Sequence, residues 1–349
     1  MDTGLKTESL TASYFIIALG AIIQVAAGEW DVIWHAHQNS ETFFTPPHSL
    51  LYAGVILVFS VSIFSLSKQR NTPSKLLLAL KLALIGAGLQ IMSGMFDLRW
   101  HSSFGFDGLL SPPHSVLVSG MLLNGIAATV GILHLMRITP RQAGFVKLVF
   151  ATTVGSLWMV SVGMVLLFTL PLSEGETFNF NPDPFAAVVT ATVVLPLITS
   201  AMVILGSRIP IKYPITALTA LYVMTNALAT IIFHPDIEYA FSYYVLTILV
   251  ALAADFLLKS RLVSVIKIII IGAMFGVLFY ALYFPLSTYL YLPIMGMPLD
   301  TDMSAPTLFR LTYDTLGYAI IVPSLIIGAL GALLTDKLMK KKLSFIVQV

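Results

Sequence analysis

Long runs of apolar residues, broken by short polar connections, divide the chain into ten segments of about 20 residues, the length that crosses a bilayer as a helix. They fall near residues 12–34, 48–66, 76–101, 114–136, 145–170, 185–206, 214–233, 239–258, 264–287 and 314–335. The pattern predicts an all-α polytopic membrane protein of about ten transmembrane helices, with no soluble domain between them. The first segment follows Lys6 and ends in Ala-Ala-Gly, as a cleaved leader would. Cleavage there would remove residues that recur inside the chain, so the segment is expected to be retained.

That recurrence is the strongest polar signal. Residues 28–54 return 66 positions later as residues 94–120 without a gap, and over positions 20–54 and 86–120 there are 13 identities in 35. The shared residues are mostly small, polar or proline: Gly20/Gly86, Gln24/Gln90, Asp31/Asp97, Trp34/Trp100, His35/His101, Pro46-Pro47-His48/Pro112-Pro113-His114 and Gly54/Gly120. The expected organisation is a single integral membrane domain, residues 1–349. It contains parallel helix-pair repeats at 12–66 and 76–136, and six further transmembrane helices follow over 137–349.

Composition agrees and narrows the chemistry. The chain is 57% hydrophobic and 10% charged, with a mean hydropathy of +0.91, too apolar for one water-soluble core. There are no cysteines, which excludes disulfides, thiolate zinc sites, iron–sulfur clusters and covalently attached c-type haem. A net charge of +2 gives no reason to expect nucleic acid as a partner. Of the 19 lysines and arginines, all but Arg99 and Arg310 fall on the side that holds the N-terminus, the connections after even-numbered spans and the Lys337/Lys340/Lys341/Lys342 cluster. By the positive-inside rule both termini are expected in the cytoplasm and both repeat loops outside, in the cell membrane. The basic tail reads as a topology signal and not as a specific lipid site.

In each copy an aspartate and a histidine stand four residues apart at the outer end of an odd-numbered span. On a helix that interval stacks Asp31 with His35 and Asp97 with His101 on one face. Thirteen residues later Thr45-Pro46-Pro47-His48 and Ser111-Pro112-Pro113-His114 read as helix starts, the hydroxyl as N-cap and proline in the first turn. The next helix thus opens with a histidine aimed across the gap, which makes a three-ligand cup: Asp31, His35 and His48 in one copy, Asp97, His101 and His114 in the other. A single aspartate–histidine pair near a helix end is usually only a salt bridge. Six such residues at repeated spacing in an apolar chain point to metal binding. Gln24 and Gln90 return to the same helical face about 10 Å below the aspartates; they lie behind the ligands or bond between helices. Trp34 and Trp100 read as interfacial belt residues.

Several residues elsewhere could add to a site. His37 has Ser103 as its counterpart, and His234 with Asp236 ends the seventh span on the same side as the triads. Glu41 and Asp107 align as loop acids. Asp255, near Lys259, reads as an interfacial acid. Residues 171–184 and 288–313 are long acidic connections suited to a lid or a partner surface.

The spacing Asp-x3-His-x12-His, with Trp before the first histidine and Phe44-Thr45-Pro46 ahead of His48 and Gly54, resembles the metal motif in one of the membrane subunits of the copper membrane monooxygenases, the particulate methane and ammonia monooxygenases. Asp97, Trp100, His101, Ser111, Pro112, His114 and Gly120 carry the likeness in the second copy. The resemblance covers some 25 residues per copy and implies copper at both triads. It departs from the family in Pro47 and Pro113 before the second histidines, in having two triads instead of one, in the number of spans, and in lacking a fused cupredoxin-like subunit. Two imidazoles and a carboxylate also suit iron or zinc. The sequence leaves two mononuclear sites or one dinuclear centre open.

The leading expectation is a copper or iron oxidoreductase of monooxygenase type, embedded in the lipid bilayer and acting on a small or apolar substrate. Other membrane subunits or a cupredoxin-like donor would be its partners. The alternatives are a metal or ion transporter with the triads as way stations, and an accessory subunit of a larger membrane oxidase. Zinc hydrolysis and non-covalent haem between His48 and His114 are weaker options.

Overall fold

A computed structural model describes residues 2–36, 42–68, 73–105, 108–138, 144–169, 180–233, 238–278 and 317–342. Among them there are helices and no strands: α1 (Asp2–Ala36), α2 (Pro46–Lys68), α3 (Ser74–Phe104), α4 (Pro112–Ile138), α5 (Gly144–Leu167), the short α6 (Pro184–Val189), α7 (Leu195–Gly206), α8 (Pro214–Phe233), α9 (Glu238–Lys259), α10 (Ser264–Leu278) and α11 (Gly317–Lys342). One π-helical turn, Thr190–Val194, joins α6 to α7 into a single rod. Among the described residues seven helices are long and apolar enough to cross a membrane: α1 to α5, the α6–α7 rod and α11. These are the first six and the last of the ten expected segments; the other three coincide with α8, α9 and α10.

The helices form because the apolar runs are uninterrupted, and they stop where proline, glycine or charge intervenes. Pro46, Pro112, Pro184 and Pro214 each open a helix, a position whose amide needs no helical partner. Many large apolar side chains, Ile56, Phe64, Met92, Met224 and Phe256 among them, are exposed on the outer faces. In water such a surface would be a liability; against lipid tails it is the ordinary exterior of a helical bundle.

α1 pairs with α2 and α3 with α4, while α5 packs against α1 and α4. A second group, α7 with α10 and α11, joins the first through α5. The centre is filled by Tyr14, Phe150, Trp158, Tyr222 and Phe275, all fully buried, with the Trp158 and Tyr222 rings stacked 4.8 Å apart. Polar groups inside the bundle bond across helices: Tyr14 Oη donates to Leu76 O (2.9 Å), Ser13 and Ser65 share a bond of 2.8 Å, and Thr129 Oγ1 donates to Thr153 O (2.9 Å). Such bonds matter where no water can replace them.

Asp255 departs from expectation. It is buried, and its carboxylate accepts from Ile215 N (3.2 Å), Thr216 N (2.8 Å) and Thr216 Oγ1 (2.7 Å). It therefore caps the first turn of α8 from α9, supplying the oxygen that a sequence-local N-cap residue would. At the far end of the bundle from the repeated histidines, Arg208 and Lys340 both pair with Asp336.

Candidate metal centre

Each repeated helix pair is joined where two glycines meet. A Cβ at Gly54 would lie 2.9 Å from Gly20 O, and one at Gly120 would lie 2.6 Å from Gly86 O. Only a residue without a side chain allows backbones to approach this closely. Gln24 and Gln90 lie over the same crossings, their Cγ atoms within 2.9 and 2.7 Å of the positions that Cβ atoms at Gly54 and Gly120 would occupy. The shared Gly, Gln and Gly positions of the two copies are thus one packing unit, which fixes how the histidine-bearing helix starts face the aspartate-bearing helix ends.

In the second copy the cup closes as the spacing predicts. Asp97 Oδ1 on α3 lies 3.5 Å from His101 Nε2 on the same helix and 3.3 Å from His114 Nε2 at the start of α4. The two imidazole centroids are 5.4 Å apart, and one ligand atom from each of the three residues lies within 4.8 Å of the others. In the first copy Asp31 Oδ1 and His48 Nε2 are 3.1 Å apart. His35 lies in α1, but its side chain is outside what the structure describes, and His37, Glu41, Asp107, His234 and Asp236 are outside the described residues altogether.

The backbone fixes the orientation of the rings. His101 Nδ1 lies 3.1 Å from Gly105 O, His114 Nδ1 3.3 Å from Gly108 O, and His48 Nδ1 3.1 Å from Thr42 O. A carbonyl only accepts, so each Nδ1 carries the proton and donates it. A neutral ring in this tautomer turns a bare lone pair on Nε2 towards the carboxylate. Lone pair facing carboxylate is repulsive unless a cation or a further proton lies between them. Donation from Nδ1 to a carbonyl is also the arrangement that orients histidines binding a metal through Nε2.

Thr42 and Gly108 occupy equivalent positions of the two copies. Gly105 and Gly108 have φ of 73° and 106°, a region that side chains disfavour. These loop glycines were not singled out by the sequence motif, although the equivalence of position 108 with position 42 was visible in the alignment. Glu29 was also missed. It lies two residues before Asp31 and has Met95 as its counterpart; an acid inside a membrane-spanning helix is itself a signal.

The helix starts behave differently in the two copies. His48 N donates to Thr45 Oγ1 at 3.3 Å, the expected cap. The Ser111 hydroxyl is buried and finds no partner among the described residues. Ser93 Oγ instead ties α3 to this turn by donating to Pro113 O at 2.5 Å. Trp100 packs against Phe96, Phe104 and Phe180. Gln90 donates to Gly86 O in its own helix (3.3 Å), and neither glutamine makes a hydrogen bond to another helix among the described residues.

The two cups lie close together. A single cavity between α1, α2, α4 and α5 is lined by both Asp31 and His114.

Two of the three donor separations match those around a transition-metal ion. Ligands held about 2.0–2.2 Å from a tetrahedral metal are separated from one another by about 3.3–3.6 Å, and the two described Asp97–histidine separations are 3.5 and 3.3 Å. Side chains of Asp97, His101 and His114 are 13, 6 and 13% exposed, too little for water to solvate a carboxylate and two rings separately. No protein-family model matches the chain, and neither a curated protein nor a solved structure matches it.

Proposed function

We propose that this chain is a membrane metalloprotein whose centre is the Asp97, His101 and His114 triad, with Asp31, His35 and His48 forming a companion site. The observation that carries the reading is the pair of Nε2 atoms directed at one oxygen of Asp97 while both Nδ1 atoms face backbone carbonyls. Three protein ligands leave a coordination position for a small molecule. A redox-active ion held there would supply oxidoreductase chemistry of the monooxygenase type, with copper preferred on the resemblance of the motif and iron compatible with the same donors; zinc would fit the donors but would supply no redox chemistry.

The chain's own contribution is positional. Gly105 and Gly108 hold the two rings in one tautomer, Asp97 supplies the negative charge, and the Gly86–Gly120 crossing sets the distance between helices. The apolar walls of the adjoining cavity exclude bulk water and favour a small or apolar substrate. Electrons would come from other membrane subunits or a cupredoxin-like donor.

The topological part of the proposal is ten spans, with both termini cytoplasmic, the two helix pairs as parallel repeats and the cups near the outer face of the cell membrane. Its support is the charge distribution. Lys68, Lys75 and Arg137 lie at the ends of α2, α3 and α4 opposite the histidines.

Elemental analysis of protein purified from membranes without chelators, combined with optical and electron paramagnetic spectroscopy, tests the reading. Copper or iron is expected, with content falling by half or more in His114→Ala and in His48→Ala. Wild-type protein that contains no transition metal, and takes up none from solutions of copper, iron(II) or zinc, overturns it.

A further inference from the structure

The cavity between the two helix pairs has a volume of about 120 Å³ and mostly apolar walls, including Leu51, Leu117, Met121, Val160 and Leu166. A few polar groups interrupt them. Gln24 and Glu29 reach it from α1, while Asp31 and His114 mark its connection to the cups. Gln24 is 0% exposed, and neither its amide nitrogen nor its amide oxygen has a hydrogen-bond partner among the described residues.

An amide buried without partners is destabilising, because it gives up its hydrogen bonds to water and gains none in return. A leucine of similar length would fill the same space over Gly54 without that cost. Gln90, at the equivalent place in the second copy, does bond through its nitrogen to Gly86 O. Gln90 Oε1 also lacks a partner among the described residues, so Gln24 differs from its counterpart in being bonded at neither end.

We infer that this cavity is a binding chamber for a small neutral molecule with an apolar body and one hydroxyl or amide end, the polar end held by Gln24. A dry apolar cavity of about 150 Å³ accommodates benzene, so the present one admits about five or six non-hydrogen atoms. Gln24 precedes Asp31 by seven residues, about 10 Å along the helix axis. A ligand anchored by its polar end at Gln24 directs its apolar end towards Asp31 and His114. The carboxylates of Glu29 and Asp31 disfavour an anionic ligand, and the uncharged amide of Gln24 matches a neutral polar end. The chamber is formed by α1, α2, α4 and α5, and its existence does not depend on a metal being bound at either cup.

Binding of 3-fluoropropan-1-ol and of 1-fluorobutane, each about five non-hydrogen atoms, to the full chain in lipid nanodiscs, stripped of metal with a chelator and followed by fluorine NMR, tests the assignment. Saturable binding of the alcohol is expected. Gln24→Leu should weaken the alcohol at least tenfold while leaving the alkane within twofold, which also shows that the variant is folded. A Cβ at Gly163 meets no atom within 4 Å, so Gly163→Leu can narrow the chamber from α5 and should weaken both probes. The assignment is overturned if wild-type protein shows no saturable alcohol binding, if Gln24→Leu leaves alcohol affinity unchanged, or if a structure at saturating alcohol shows water or a lipid chain against Gln24.

Discussion

His114 Nδ1 lies 3.3 Å from the carbonyl oxygen of Gly108, a loop residue whose φ is 106°. The bond links a backbone conformation natural only to glycine with the direction of a ring on the next helix. Gly108→Ala should therefore disturb His114 without removing any proposed ligand. Adding a Cβ at such a φ costs about 1–3 kcal/mol, and loss of the ring's supporting bond typically lowers metal affinity 10–100-fold. Competition titration with a chelator of known affinity measures the effect. Unchanged affinity in a folded Gly108→Ala protein would remove the orienting role of this bond.

The glycine crossings give a prediction about the fold. Gly86 and Gly120 touch through backbone, whereas a Cβ at Gly88 on the same helix meets no atom within 4 Å. Gly120→Val must push α3 and α4 apart, and overpacking of this kind typically costs about 1–3 kcal/mol. Gly88→Ala should be neutral or stabilising by about 0.5–1 kcal/mol, since alanine favours helix. Thermal unfolding in one detergent compares the two, and equal melting temperatures would contradict the close crossing.

The two helix starts should respond unequally. Thr45 Oγ1 accepts from His48 N, while the buried Ser111 hydroxyl has no partner among the described residues. Thr45→Ala is expected to cost about 1 kcal/mol. Ser111→Ala should cost little or be stabilising, because it removes an unsatisfied buried group. Denaturant or thermal unfolding of both variants decides whether the difference in capping is real.

Much of the bundle was legible because a membrane helix is recorded as a continuous apolar run. The triad was legible because an interval of four returns to the same helical face, as Asp97 and His101 do. Duplication then supplied a second reading of the same spacing. What could not be read were relations between elements. Asp255 looked like an interfacial acid beside Lys259 because nothing local shows that α9 delivers it to the amides of α8. The capping hydroxyls of Thr45 and Ser111 looked equivalent, yet their partners depend on how each turn is tied to its neighbours. The nearness of the two cups, open to either reading from spacing, follows from α1 packing against α4 as well as α2.

Asp97→Asn should separate the metal-bound protein from the metal-free one. With Nδ1 of His101 and His114 both donating to carbonyls, neutral rings present two lone pairs to one oxygen of Asp97. With neither a cation nor a further proton between them that arrangement is repulsive; at a pH that keeps both rings neutral, an asparagine amide replaces the repulsion with a hydrogen bond worth about 1 kcal/mol. The metal-free variant should therefore unfold at the same temperature as metal-free wild type, or higher. With metal the order reverses, because a ligand that binds only the folded state stabilises it by about 2.7 kcal/mol at 100 times its dissociation constant, and the variant has lost its anionic ligand. Lower pH should reduce the wild-type gain, since imidazoles must be neutral to bind metal. Unfolding scans of both proteins, with and without added copper, iron(II) or zinc, make the comparison. If Asp97→Asn gains as much stability from metal as wild type does, Asp97 is not a ligand.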